Sequence, residues 1–107
     1  MSEKEYSKQI EHLFKLFGWR YSHFRPAWTT KGWRTAISGN AGFPDYVMVK
    51  GGRLIFAEIK SGGNKPSLEQ WEWLEALGRA GAEVYLWHEG EDTLESIAEI
   101  LRDKKEC

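Results

Sequence analysis

The chain is poor in several things that would define a function class. It has one cysteine, Cys107, so it can form no intramolecular disulfide and build no zinc site on cysteines. No apolar run approaches the roughly 20 residues that a membrane span needs. The first residues, Met-Ser-Glu-Lys-Glu, lack the apolar region of a signal peptide. These absences point to a reducing cytoplasm. His12, His23 and His88 have no metal-ligand spacing among themselves. No nucleotide-binding glycine loop, Ser-His-Asp arrangement or internal repeat stands out. What is present is ordinary for a globular protein, 41% hydrophobic and 29% charged over 107 residues, and predicts one domain over 1–107 with one core.

The formal net charge is −1, which argues against a nucleic-acid partner until the charges are placed along the chain. Residues 1–17 balance, with three basic and three acidic side chains. Residues 18–65 carry eight basic side chains: Arg20, Arg25, Lys31, Arg34, Lys50, Arg53, Lys60 and Lys65. The same stretch holds only two acidic ones, Asp45 and Glu58. Residues 66–107 hold eleven acidic against four basic. A basic stretch around a lone acidic pair is the pattern of phosphate binding with a metal at the centre.

Residues 3–17 predict an amphipathic helix with Ser2 as N-cap, Glu5 completing a capping box, and an apolar stripe of Tyr6, Ile10, Leu13, Phe14 and Phe17 that Gly18 ends. Trp19 to Phe24 reads as a strand. Residues 25–42, rich in Gly, Thr and Ser, read as a long loop. Ser67 caps a second helix running to about Ala80, with Leu68, Trp71, Leu74 and Leu77 as its buried stripe. Trp73, left off that stripe, marks an exposed partner surface. Glu83 to Trp87 is a short strand, joined to the one before it by a right-handed parallel crossover. A final helix runs from Thr93 to about Lys104, apolar at Leu94, Ile97, Ala98 and Leu101.

The chemistry gathers around the hairpin. Tyr46–Lys50 and Arg53–Ile59 are β-branched and aromatic runs joined by Gly51-Gly52, a two-residue hairpin signal because primed turns need positive φ. Lys50 then pairs with Arg53, and counting back sets Asp45 opposite Glu58. Opposed residues share a sheet face with Cβ atoms roughly 5 Å apart, and Lys60, two residues on, shares that face. Two like charges so placed destabilise a sheet unless a cation compensates. Two carboxylates and a lysine in this arrangement can hold a hard divalent cation such as Mg²⁺, with Mn²⁺ as substitute, against a phosphate. Lys60 would orient or help deprotonate the attacking water and offset transition-state charge.

Four blocks carry a further resemblance: Gly42-Phe43-Pro44-Asp45, Phe56-Ala57-Glu58-Ile59-Lys60-Ser61, Ser67-Leu68-Glu69-Gln70-Trp71 and Gly81-Ala82-Glu83-Val84-Tyr85. In this order and compact spacing they resemble the VRR-NUC branch of the PD-(D/E)xK nuclease superfamily, in its small stand-alone form found in phages and bacteria. The resemblance implies an α/β fold with a restriction-endonuclease-like core, a small mixed β-sheet flanked by helices in the order α-β-ββ-α-β-α. It implies a homodimeric, metal-dependent DNA endonuclease acting on branched DNA such as four-way junctions, with a place in DNA repair.

Residue by residue, the resemblance implies Asp45 and Glu58 as metal ligands with the Ile59 carbonyl, and Lys60 and Gln70 as catalytic positions. It gives Glu3 as a third carboxylate from the first helix. Helical geometry agrees, since positions 3, 6 and 10 share a face, whereas Glu5 and Glu11 are expected to point elsewhere. His23 and Arg25 match polar positions ahead of the Asp block. Arg25, Lys31 and Arg34, interleaved with Trp28 and Trp33, suit DNA contact and base stacking, with Lys65 a further contact from the same basic stretch. Each has a plainer alternative: Glu3 favouring the helix dipole, Gln70 closing a capping box with Ser67, Trp28 and Trp33 lying in a core or dimer interface. The rival functions are a DNA-binding module without catalysis and a nuclease subunit that needs a repair or replication partner.

Overall fold

The computed structural model describes residues 1–24, 27–29, 32–34 and 38–102. The elements run α1 (Glu3–Leu16), β1 (Arg20–His23), β2 (Ala27–Thr29), β3 (Gly32–Arg34), β4 (Tyr46–Lys50), β5 (Arg53–Lys60), α2 (Leu68–Arg79), β6 (Glu83–His88) and α3 (Leu94–Leu101). A four-stranded sheet has the order β1-β4-β5-β6. β1 and β5 each pair antiparallel with β4, and β6 pairs parallel with β5. This is the mixed sheet with flanking helices expected from the sequence. No helix among the described residues is long and apolar enough to cross a membrane.

One sheet face carries the core. Ile55, Ala57 and Ile59 of β5 and Tyr46 and Met48 of β4 are buried with Tyr6, Ile10 and Phe14 of α1 and Ile97 and Leu101 of α3. The predicted stripe of α1 is thus the one the helix buries, with Leu13 and Phe17 packed at its margin. Burying an aliphatic or aromatic side chain contributes roughly 1.5–3 kcal/mol, so the α1 and α3 face is the main stabilising layer. The opposite face, with Phe56, Glu58 and Lys60, turns toward α2.

Local signals set the ends. Ser2, Ser67 and Thr93 accept from the backbone N–H three residues on in α1, α2 and α3. The hairpin turn has Gly51 at φ 57°, as a primed turn needs.

Three expectations are corrected. Residues 25–42 are not only loop: β2 and β3 form a separate two-stranded antiparallel sheet, with Trp28 across from Trp33. Within α2, Leu68 is 70% exposed and Trp71 49%, so neither belongs to a buried stripe. Trp73 is half-buried instead, packing edge-on against Phe43 with centroids 5.1 Å apart, its Nε1–H donating to the Asn40 carbonyl. The helix turns Gln70, Trp73, Leu74 and Leu77 inward, because the aromatic Phe43 and the buried Glu58 lie beneath them. The expected end of the last helix near Lys104 falls outside the described residues, and α3 is capped at Arg102.

Candidate active site

The register of β4 and β5 runs from Lys50 opposite Arg53 to Tyr46 opposite Ala57, which places Asp45 one step further, across from Glu58. At this point the chain leaves the sheet, and the Asp45 side chain takes over a ladder bond: its Oδ2 accepts from Ile59 N–H at 2.9 Å. Neighbouring residues in an extended strand alternate in the partner they address. The Ile59 N–H addresses Asp45, so the Ile59 carbonyl lies on the same edge of β5, while the Lys60 carbonyl accepts from Glu89 N–H on the β6 side.

The loop ahead of Asp45 is held by close packing. Phe43 meets Phe24, Phe56 and Trp73 edge-on, and Pro44 is fully buried. Gly42 lies flat against the start of α2. A Cβ there would sit 2.6 Å from the Glu69 carbonyl carbon and 2.8 Å from Gln70 N, and its φ is +95°. Both facts require glycine.

Glu58 is 1% exposed, the one buried charged residue among the described residues. Its Oε2 accepts from Gln70 Nε2 at 2.9 Å and lies 3.2 Å from Lys60 Nζ. Its Oε1 is buried with no hydrogen-bond partner among the described residues. Burial and the neighbouring Asp45 charge push the Glu58 carboxyl up to about 7, while Lys60 pulls the other way. Asp45 is also raised by burial, opposed by the Ile59 N–H, Lys60 and His23. A buried carboxylate oxygen without a donor is costly, and a cation there would offset that cost. The donors are all oxygen, which suits a hard divalent ion, so the residues present fit Mg²⁺ or Mn²⁺.

Gln70 closes the expected capping box and also reaches the carboxylate pair. Its Oε1 accepts from Ser67 N–H at 2.8 Å to close the capping box of α2, while its amide nitrogen holds Glu58. Glu3 is partly exposed at the start of α1. That end of α1 lies by the loop after β6, where Tyr6 Oη donates to the Asp92 carbonyl at 2.6 Å and the N-terminal amine is 3.6 Å from Glu89. Since His88 pairs with Lys60, the start of α1 lies toward the Lys60 end of the sheet. Glu3 does not, however, join Asp45 and Glu58 in a group: no cluster of three or more potential metal ligands occurs among the described residues.

Glu11 does not point away. It accepts from Tyr21 Oη at 3.0 Å and Tyr46 Oη at 2.5 Å, and lies 3.4 Å from His23 Nδ1. His23 in turn stacks on Tyr46 at 4.1 Å. Burial and the Glu11 charge raise both tyrosine hydroxyls, so they stay protonated donors. Sequence periodicity missed Glu11 because its partners lie on strands far along the chain.

The basic stretch divides between fold and site. Lys50 donates to the Phe17 carbonyl at the end of α1, and Arg53 pairs with Glu83 and stacks over Trp19. Both sit at the hairpin end, away from Asp45. Lys65 is exposed in the connection after Lys60. Arg34 is placed by its backbone in β3, and Arg25 and Lys31 lie outside the described residues.

No protein-family model matches the chain, and no curated protein matches it. Solved structures do. A VRR-NUC domain superposes with a TM-score of 0.64 at 20% identity, covering 92% of each chain. The Hjc Holliday junction resolvase of Archaeoglobus fulgidus superposes with a TM-score of 0.52 at 19% identity, covering 83% of this chain and 71% of that one. The likeness read in the four sequence blocks therefore extends to the backbone: this chain has the fold of a VRR-NUC domain, shared with a Holliday junction resolvase.

Proposed function

We propose that this protein is a divalent-metal-dependent endonuclease that hydrolyses DNA phosphodiester bonds, selects branched DNA such as four-way junctions, and acts as a homodimer. The observation that carries the reading is the buried Glu58, one oxygen bare, set across from Asp45 and 3.2 Å from the Lys60 ammonium. A purely structural ion pair ordinarily leaves no buried carboxylate oxygen without a donor.

Asp45, Glu58 and the Ile59 carbonyl would hold the ion, while Glu3, outside that group, would add only negative charge toward the same end of the sheet. When bound, Mg²⁺ or Mn²⁺ supplies Lewis-acid stabilisation of phosphate charge and lowers the pKa of water. The protein's own groups do the rest. Gln70 and Lys60 fix the Glu58 carboxylate, the Ile59 N–H fixes Asp45, and Lys60 offers a charge-assisted donor to a phosphate oxygen or the attacking water. His23, held against Glu11 and Tyr46, presents a polar edge beside Asp45, and Lys65 extends the positive surface beyond Lys60.

The preference for branched DNA rests on the likeness to a junction resolvase. Such a preference reads DNA shape, not base sequence, and two copies related by a two-fold axis would suit the two opposed strands of a junction. Cleavage of a four-way junction, a flap, a splayed fork and plain duplex tests it; equal rates on all four would contradict selection for branches. Sedimentation as a 12.4 kDa species at tens of micromolar would contradict the dimer.

A further inference from the structure

Beyond Lys60 the surface opens into a groove of about 340 Å³, lined by Lys60, Lys65, Pro66, Trp71, Leu86 and His88. That lies within the roughly 300–1,000 Å³ of small-molecule sites. We infer that this groove is a nucleotide subsite, in which an unpaired or stack-terminal base next to the scissile phosphate lies on the indole of Trp71 while Lys65 and Lys60 hold the flanking phosphates. The inference rests on the nuclease reading and names how that site would select branched DNA.

Three features argue for it. Lys60 belongs both to the carboxylate site and to the groove wall, so a strand passing the site continues into the groove. The Trp71 ring is half exposed although it is large and apolar, and a base offers it a flat partner worth roughly 1–3 kcal/mol. The wall is preformed: His88 lies between two backbone groups, its Nε2 2.8 Å from the Gly62 carbonyl and its Nδ1 accepting from Gly90 N–H at 3.0 Å. The ring is thereby set as the Nε2–H tautomer, tying the loop after β5 to the end of β6. Glu91 also lines the groove; it would repel a phosphate beside it and so leave the two lysines as the phosphate-binding end.

A base inside a duplex has both faces covered by its neighbours, so it has no face for Trp71. A base at a branch point, at a helix end or in a single strand does. The groove thus favours DNA in which stacking is interrupted beside the cleaved bond.

The test uses a splayed fork with 2-aminopurine at the branch, bound to the cleavage-blocked Asp45→Asn protein. Binding is followed by anisotropy, stacking by 2-aminopurine quenching and association by sedimentation. Expected are quenching on binding, its loss with about 5- to 150-fold weaker binding when Trp71→Ala is added, and retention with Trp71→Phe. Unchanged quenching and affinity in the Trp71→Ala protein would overturn the subsite while leaving the nuclease reading intact. A shift from dimer to monomer with quenching unchanged would overturn it too, assigning Trp71 to contact between copies. Failure of the parent protein to bind the fork would bring down both the subsite and the reading beneath it.

Discussion

Gln70 joins the architecture of α2 to the chemistry of Glu58. Its carbonyl oxygen accepts from Ser67 N–H at 2.8 Å, and its amide nitrogen donates to Glu58 Oε2 at 2.9 Å. The helix start is therefore anchored on the buried carboxylate.

These two bonds are separable by mutation. Ser67→Ala removes the N-cap acceptor and is expected to cost about 0.5–2 kcal/mol in denaturant unfolding, with cleavage largely retained. Gln70→Glu keeps an acceptor for Ser67 N–H but replaces the donor to Glu58 with a like charge. It is expected to lower cleavage at least about tenfold, the scale of losing a group that fixes a metal ligand. Equal activity of Gln70→Glu and wild type at saturating Mg²⁺ would remove Gln70 from the site.

The raised Glu58 pKa makes a pH prediction with a definite sign. In the unfolded chain the group titrates near its ordinary 4.5, and in the folded protein at about 7. The folded state holds the proton more tightly, so the stability this group contributes is full below 4.5 and is lost as pH rises through 7. Without divalent ion, thermal stability should fall across that window, and Glu58→Gln should flatten the fall. Cleavage needs the ionised carboxylate and should rise over the same range. A metal-free melting curve insensitive to Glu58→Gln between pH 5 and 8, roughly spanning the window, would contradict the assignment.

Gly42 should tolerate no side chain. A Cβ would collide with the backbone of Glu69 and Gln70, which cannot yield as a flexible side chain could. The positive φ adds strain of order 1–3 kcal/mol. Gly42→Ala is expected to lower stability by at least that amount in chemical denaturation and to displace Asp45, lowering cleavage as well.

Glu11 ties α1 to two strands. Glu11→Ala leaves the Tyr46 hydroxyl, which faces the interior, without its acceptor, at a cost of about 1–3 kcal/mol. It also frees His23. If His23 contacts substrate, the variant should show a raised KM with kcat little changed; an unaltered KM would make Glu11 structural alone.

The sequence carried the Asp45, Glu58 and Lys60 geometry because a two-residue Gly51-Gly52 turn fixes strand register, and register fixes faces. The helix stripes of α1 and α3 followed from apolar spacing. The α2 stripe did not: Leu68, Trp71, Trp73 and Leu77 are all apolar, so spacing alone could not tell which tryptophan turns inward. Packing on Phe43, itself held by Phe24 and Phe56, decides it. Glu11 escaped for a related reason. A charged residue beside an apolar stripe is ordinarily solvated, and only the fold brings two tyrosine hydroxyls to it. The β2–β3 pairing was hidden by strands of three residues each, too short to show alternation.

The most direct test of the account is cleavage of a labelled immobile four-way junction with Mg²⁺ or Mn²⁺ by the wild type, Asp45→Asn and Lys60→Ala, each checked for folding by circular dichroism. The account predicts paired nicks on opposed strands by the wild type, and losses of at least about 100-fold in each variant. Nicking that persists undiminished in both folded variants would contradict it.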